Sequence, residues 1–218
     1  MPNPVKIDFV SDVVCPWCAI GLAALEQAIA RVGDGLRVEL HFQPFELNPD
    51  MAPEGESIAD HLGRKYGMAI DQLRQNSEAI RQRGAALGFV FDMEKRDRIY
   101  NSFDAHRLLH WAGGLDPSRQ LALKHALLRA YHGEGRNIAD ADTLIAIAES
   151  AGLDGAEARR ILASDDFAAQ VREREEFYRQ HGIQAVPSVI FNDRHLVQGG
   201  QPVEVFEQAL RQLSGIAA

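Results

Sequence analysis

The chain has 218 residues, of which 46% are apolar and 25% charged; this globular balance excludes wholesale disorder, a collagen-like repeat and a disulfide-dense scaffold. With 23 Lys and Arg against 31 Asp and Glu, the formal net charge is −8. A field of that sign repels phosphate backbones, so no nucleic-acid partner is expected.

Residues 1–6 lack a basic segment followed by an apolar one, so no secretory signal is read there. The longest uncharged apolar stretch, 13–25, is interrupted by Pro16 and falls short of the ~20 residues of a membrane span. A cytoplasmic protein without a membrane partner is the expectation. Residues 5–9 alternate apolar Val5, Ile7 and Phe9 with charged Lys6 and Asp8 and run on into Val10-Ser11, which predicts a strand. Cys18, Leu22, Leu25, Ile29 and Val32 then recur at steps of four and three, one face of a helix ending near Gly33. Residues 36–43 alternate again and predict a second strand, one face buried and one wet. Strand, helix, strand suits a right-handed parallel crossover, with the cysteines at the carboxyl end of the first strand.

Pro44, Pro49 and Pro53 with Gly55 mark an exit from the sheet, and from 57 to 181 the period is helical almost throughout. Helix starts are predicted at Ser57, Asp71, Asn101 or Ser102, Pro117 or Ser118, Asp140 or Asp142, Asp154, and Asp165 or Asp166, most of them short side-chain acceptors suited to the free amides of a first turn. Residues 186–191, a turn at Asn192-Asp193 and residues 195–197 read as a hairpin. Pro202 then suits the first turn of a last helix with Val203, Phe206, Leu210 and Leu213 on one face. The terminal segments 1–48 and 182–218 are expected to form one discontinuous domain around the inserted helical domain 49–181. The terminal pieces make a small domain, so the helical block is expected to share its core.

Cys15 and Cys18 are the only cysteines and sit in one Cys15-Pro16-Trp17-Cys18. A structural bridge across so short a loop in a reducing cytosol constrains little, so the pair calls for chemistry. A cysteine at the amino end of a helix meets unpaired amides and the positive end of the helix dipole, which favour its thiolate. Cys15 is therefore the expected exposed nucleophile, and Cys18, one turn on and buried, the protonated resolving thiol. Pro16 fits the first helical position, and Trp17 offers an apolar surface without charge, which argues for intermediate oxidising power. A zinc site completed by His106 and His110, at i, i+4 spacing, is the metal alternative; the plainer reading makes both histidines packing residues and the metal count none. Ser11 and Asp12 are read as turn formers before the helix. Val186-Pro187 marks the start of a strand or a cis peptide, and the residues alone leave both open.

Ser11-Asp12-Val13-Val14-Cys15-Pro16-Trp17-Cys18, the stretch from Gln43-Pro44 to Asn48-Pro49, Ala105-His106-Arg107-Leu108-Leu109, Gln184-Ala185-Val186-Pro187-Ser188 and Gly199-Gly200-Gln201-Pro202 together resemble the DsbA family of thiol-disulfide oxidoreductases, in particular its FrnE-type branch. The resemblance spans nearly the whole chain. It implies an α/β thioredoxin-like fold with a large all-helical insertion, a cis-proline at Pro187 facing the cysteines, and Val186 holding an extended peptide by its backbone. It departs at Trp17, where the best-known DsbA motif has His, and no further cysteine pair follows. A relay through a second dithiol is thus excluded.

The function expected is dithiol-disulfide exchange on protein or peptide thiols and disulfides, in any of the oxidising, reducing or isomerising directions. No cofactor is implied beyond the redox-active pair; glutathione is a candidate co-substrate, and glutathione or a thioredoxin-type protein the candidate redox partner. The alternative is a glutathione-dependent isomerase or transferase similar to the kappa class, which typically has Ser at the position of Cys15.

Overall fold

The structure, a computed structural model, describes residues 4–52 and 54–216. Residues 1–3 and Pro53, on which the sequence expectations drew, lie outside them. The first strand, β1 (Val5–Ser11), leads into α1 (Pro16–Val32) and back to β2 (Val38–Pro44), which pairs parallel to β1 with Phe9 opposite Phe42. The closing hairpin, β5 (Ser188–Phe191) and β6 (His195–Gln198), adds antiparallel on the other side of β1. The sheet order β2-β1-β5-β6 thus joins the two ends of the chain at its centre. This is the α/β architecture with a helical insertion that the resemblance implies.

The period of two along β1 gives its two faces different covers. Val5, Ile7 and Phe9 pack with Leu22 and Leu25 of α1 and with Phe206 and Leu210 of the last helix, α9 (Val203–Ser214). Val10 packs on the opposite face with Phe45, Tyr178 and Ile183. Asp8, which the alternation leaves to solvent, is buried at 4% exposure because this face is also covered; its carboxylate accepts from Gln43 Nε2 at 2.6 Å and pairs with Lys6 at 3.0 Å.

Between β2 and β5 lie α2 (Ile58–Tyr66), α3 (Ile70–Ala86), α4 (Phe103–Leu115), α5 (Pro117–His132), α6 (Ala141–Ser150), α7 (Gly155–Leu162) and α8 (Ala168–Gln180). The capping expectations hold at Ser57, Asp140 and Asp154, whose side chains accept first-turn amides, and Asp116 does the same before Pro117. Pro202 stands at the cap of α9, one residue before its first turn. Two short strands, β3 (Glu56–Ser57) and β4 (Arg98–Ile99), pair inside the helical stretch; two residues are too few for any period to show.

Helix α5 is buried on two sides, which joins the insertion to the sheet. Leu123, Leu127 and Ala130 belong to the insertion's own core with α4, α6 and α7. A second stripe at four-residue spacing, Gln120, Lys124, Leu128 and His132, is buried as well, and Leu128 packs into the core of the sheet. Gln120 completes the free edge of β2: Phe42 N–H donates to its Oε1 at 2.9 Å and its Nε2 donates to the Phe42 carbonyl at 3.0 Å. An exposed row of strand N–H and C=O groups is thereby covered. Among the described residues no helix is long and apolar enough to cross a membrane.

Candidate active site

Cys15 is the cap residue of α1, with extended backbone angles, and Pro16 takes the first helical position, where a missing N–H costs nothing. The reversal that brings strand into helix is closed by the Cys15 N–H donating to Asp12 O at 3.3 Å. Cys15 and Cys18 are both free thiols. The thiol of Cys18 donates toward the Cys15 sulfur, the largest influence on Cys15, and holds its pKa below the usual thiol value; burial opposes this, and the amides of Cys18 and Trp17 add to the lowering. Burial, followed by the neighbouring Cys15 sulfur, pushes Cys18 well up, with only the charge of Lys124 and the backbone at Asp12 pulling it down. The two thiols are thus displaced in opposite directions, Cys15 down and Cys18 up.

One expectation is corrected: Cys15 is only 4% exposed. Helices α2 and α3 roof the motif, so its sulfur is reached through a cavity of about 350 Å³ rather than from an open surface. Trp17 is the exposed member of the motif, at 38%. It does not lack a cation, since Arg83 of α3 lies 5.6 Å from its ring centre and donates to Gly200 O at 2.6 Å.

The chain's far end supplies the facing wall. Cys15 Sγ donates to Val186 O at 3.6 Å, and the Val186–Pro187 peptide is cis. Gly199, in the left-handed region at φ 83°, donates its N–H to Pro187 O at 2.8 Å. Two close approaches leave little room for a Cβ. A Cβ on Gly21 would lie 3.0 Å from Pro187 Cγ, and one on Gly200 would lie 3.0 Å from the Trp17 carbonyl oxygen. Cys15, Pro16, Trp17, Val186 and Pro187 are therefore brought together.

Behind the cysteines the insertion contributes buried polar groups that the sequence pattern places elsewhere or leaves unmarked. Asp12 is fully buried; its carboxylate accepts from Leu47 N at 2.7 Å and Val14 N at 3.3 Å, with His106 Nε2 3.5 Å away. Burial is the largest influence on Asp12 and opposes its charge, but His106 and the Leu47 amide outweigh it and the pKa is lowered. Lys124 is fully buried and among the described residues its ammonium has no hydrogen-bond partner; it lies 5.6 Å from the Phe42 ring centre. Burial lowers its pKa against the opposing pull of Cys18, Asp12 and Cys15. His132 Nε2 bonds the Val13 carbonyl at 2.9 Å and is held neutral, its pKa well below the usual histidine value, by burial and by the charge of Arg96. Arg96 Nη2 reaches the Val14 carbonyl at 3.4 Å. The loop carrying Cys15 is thus fastened from the insertion side.

His106 and His110 do not converge on the cysteines as a ligand set. His106 faces Asp12, whereas the His110 ring lies tilted against Phe167, ring centres 5.5 Å apart. Among the described residues no group of three or more His, Cys, Asp or Glu side chains is placed to hold a metal.

The sequence profile of the DSBA-like thioredoxin domain matches residues 6–211. The chain belongs to the DsbA-like thioredoxin-domain family. A crystal structure of a probable DsbA oxidoreductase from Streptomyces coelicolor is 34% identical and covers 98% of this chain and 92% of that one, with a TM-score of 0.88. The uncharacterised protein YwbO of Bacillus subtilis (strain 168) is 30% identical over 209 residues, 94% of this chain and 96% of its own. The cytosolic disulfide reductase DsbM from Pseudomonas aeruginosa, solved with GSH, shares the fold at 21% identity, with a TM-score of 0.64 over 95% of this chain and 98% of that one. In this DsbA-like chain the polar stripe of α5 is the signal that could have exposed Lys124 and His132. Gln120, Lys124 and His132 recur at multiples of four beside the apolar series Leu123, Leu127 and Ala130, and polar residues stacked on a second face mark a helix wrapped on two sides.

Proposed function

We propose that the protein is a thiol-disulfide oxidoreductase in which Cys15 is the nucleophile and Cys18 the resolving thiol. The observation that carries this reading is geometric: Cys15 caps the amino end of α1 with its sulfur 3.6 Å from the Val186 carbonyl oxygen, and Cys18 lies fully buried one turn on. The thiolate of Cys15 attacks one sulfur of a substrate disulfide, that bond breaks, and one substrate thiolate leaves. Cys18 then gives up its proton and attacks Cys15 Sγ, releasing the second substrate thiol and leaving the Cys15–Cys18 disulfide. The substrate gains two electrons and the protein dithiol loses them; run backwards, the same steps oxidise a substrate dithiol. The buried ammonium of Lys124 favours the Cys18 thiolate at the moment it is needed. The Val186 carbonyl beside Cys15 offers an acceptor to a substrate N–H.

The cytosolic reductase DsbM, solved with GSH, supports glutathione as a redox partner here, in a reducing compartment. The test is trapping. Cys18→Ser should accumulate a stable mixed disulfide at Cys15 with a model disulfide, and Cys15→Ser should form none. A Cys18→Ser variant with full turnover would overturn the dithiol mechanism in favour of a glutathione-dependent isomerase or transferase. That second reading draws its support from the enclosed cavity at Cys15 and from the fold shared with a 2-hydroxychromene-2-carboxylate isomerase, 16% identical at a TM-score of 0.72.

A further inference from the structure

The cavity that opens onto Cys15 has a chemical character of its own. Its walls are mostly apolar, including Leu47, Ile58, Leu62, Tyr66, Leu73 and Ile80. No Asp or Glu lines it among the described residues, in a chain of net charge −8, whereas Lys65 and Arg96 do. Lys65 bonds only neutral acceptors, the Leu47 carbonyl at 2.9 Å and Asn48 Oδ1 at 2.7 Å.

Arg96 is the more telling of the two. Many arginines of this molecule pair with a carboxylate, Arg64, Arg107, Arg160 and Arg172 among them, but among the described residues no carboxylate lies within ion-pair distance of Arg96. Its guanidinium lies 5.2 Å from the Tyr131 ring centre and also interacts with that phenol, Nη2 makes a long 3.4 Å bond to the carbonyl preceding Cys15, and among the described residues Nε is buried without a hydrogen-bond partner. Its neighbour Tyr131 supplies no compensating negative charge, since burial pushes the phenol up to about 12, and His132, which could only add positive charge, is held neutral by burial and by Arg96 itself. The Asp12 carboxylate is engaged by Leu47 and Val14. A half-buried guanidinium with free donor capacity is a carboxylate receptor.

Resting on the exchange reading above, we infer that the substrate at this site is a low-molecular-weight disulfide with a carboxylate on an apolar body, the apolar part filling the cavity and the carboxylate meeting Arg96. The volume, about 350 Å³, is at the small end of small-molecule sites, and the roofed Cys15 admits a compact disulfide more readily than a folded protein's. In the mixed disulfide the Cys15–sulfur bond has formed, the substrate S–S bond has broken and one thiolate has left. The retained half occupies the cavity until Cys18, its proton lost to solvent, displaces it.

Two aromatic disulfides with chromophoric leaving groups test this: 5,5′-dithiobis(2-nitrobenzoate), which carries carboxylates, and neutral 4,4′-dithiodipyridine. Second-order rate constants are measured by stopped flow on the reduced protein. The expected result is a ratio of anionic to neutral rates that falls at least about tenfold in Arg96→Gln, the scale of one charge-assisted hydrogen bond, and is substantially restored in Arg96→Lys. In wild-type protein, which bypasses any folding defect, 2-nitrobenzoate should compete with the anionic reagent and 2-nitrobenzamide should not. An unchanged ratio, equal competition by the amide, or an Arg96→Gln loss seen on insulin disulfides but not on the anionic reagent would each overturn the inference; the last would assign Arg96 to a protein substrate. Failure of wild-type protein to form the Cys15–Cys18 disulfide with either reagent would instead overturn the exchange reading.

Discussion

The two sides of the Cys15-Pro16-Trp17-Cys18 motif are built by different means. On the sheet side the parts are backbone: the cap of α1, the Val186 carbonyl, the cis peptide before Pro187 and the two glycines that admit them. On the insertion side the parts are long polar side chains, the buried Lys124, His132 and His106 and the half-buried Arg96, delivered from helices and a loop. Cys15 is lowered by Cys18 and by the amides of α1, whereas the buried charge of Lys124 acts on Cys18. The sheet side therefore supplies the nucleophile and its geometry, and the insertion side a charge that favours ionisation of the resolving thiol.

The sharpest way to separate them is Lys124→Met. Removing an unpaired buried cation should raise stability, on the order of 1–3 kcal/mol in urea denaturation. It should also slow release of a mixed disulfide by about tenfold or more at pH 7, since each unit gained by the Cys18 pKa costs tenfold in thiolate. Rate and stability moving in the same direction would break the division. Next is Gln120→Ala, which removes the two bonds to Phe42 and one to the Leu109 carbonyl. A loss of about 2–4 kcal/mol is expected, and a smaller loss would mean that the insertion holds β2 by apolar contacts alone.

Glu46 tests the seam between the two sides. It is buried with Glu175 beside Arg172, and Arg179 also reaches Glu175 at 3.9 Å; burial followed by the charge of Glu175 raises its pKa to about 7. A carboxyl raised on folding stabilises the folded state when protonated. Its contribution is full below the unfolded value near 4.5 and lost as pH rises through about 7. Glu46→Gln should abolish that decline, so that stability curves of variant and wild type diverge between pH 4.5 and 7. Parallel curves across that range would show Glu46 ionised throughout. The smallest effect belongs to the sheet side. Gly21→Ala gains up to about 1 kcal/mol of helix propensity but sets a methyl 3.0 Å from Pro187 Cγ. Melting should change little while exchange slows severalfold, and unchanged exchange would show that Pro187 tolerates displacement.

Much of the sheet side was legible because its determinants are local. The period of two in β1 and the Cys-Pro-aromatic-Cys at a helix start each declare themselves within a few residues, and β1 spans Val5–Ser11 as read. Most predicted helix starts lie within a residue or two of those found. The buried polar side chains were not legible, because a lysine on a helix reads as solvent-facing until the second covering layer is known. Burial of Cys15 escaped for the same reason: its roof, α2 and α3, comes from residues 58–86 and leaves no mark on the motif. The β3–β4 pair was hidden by its length alone.

The hydrogen bond between Cys15 and Val186 joins residues 171 apart. During synthesis the dithiol leaves the ribosome early and its facing strand almost last, so the groove cannot assemble until the chain is nearly complete. Contacts of such sequence separation also place closure late in refolding. The chain thus times its own reactivity: a nascent or truncated copy lacking residue 186 carries both thiols but no facing wall at which to exchange them.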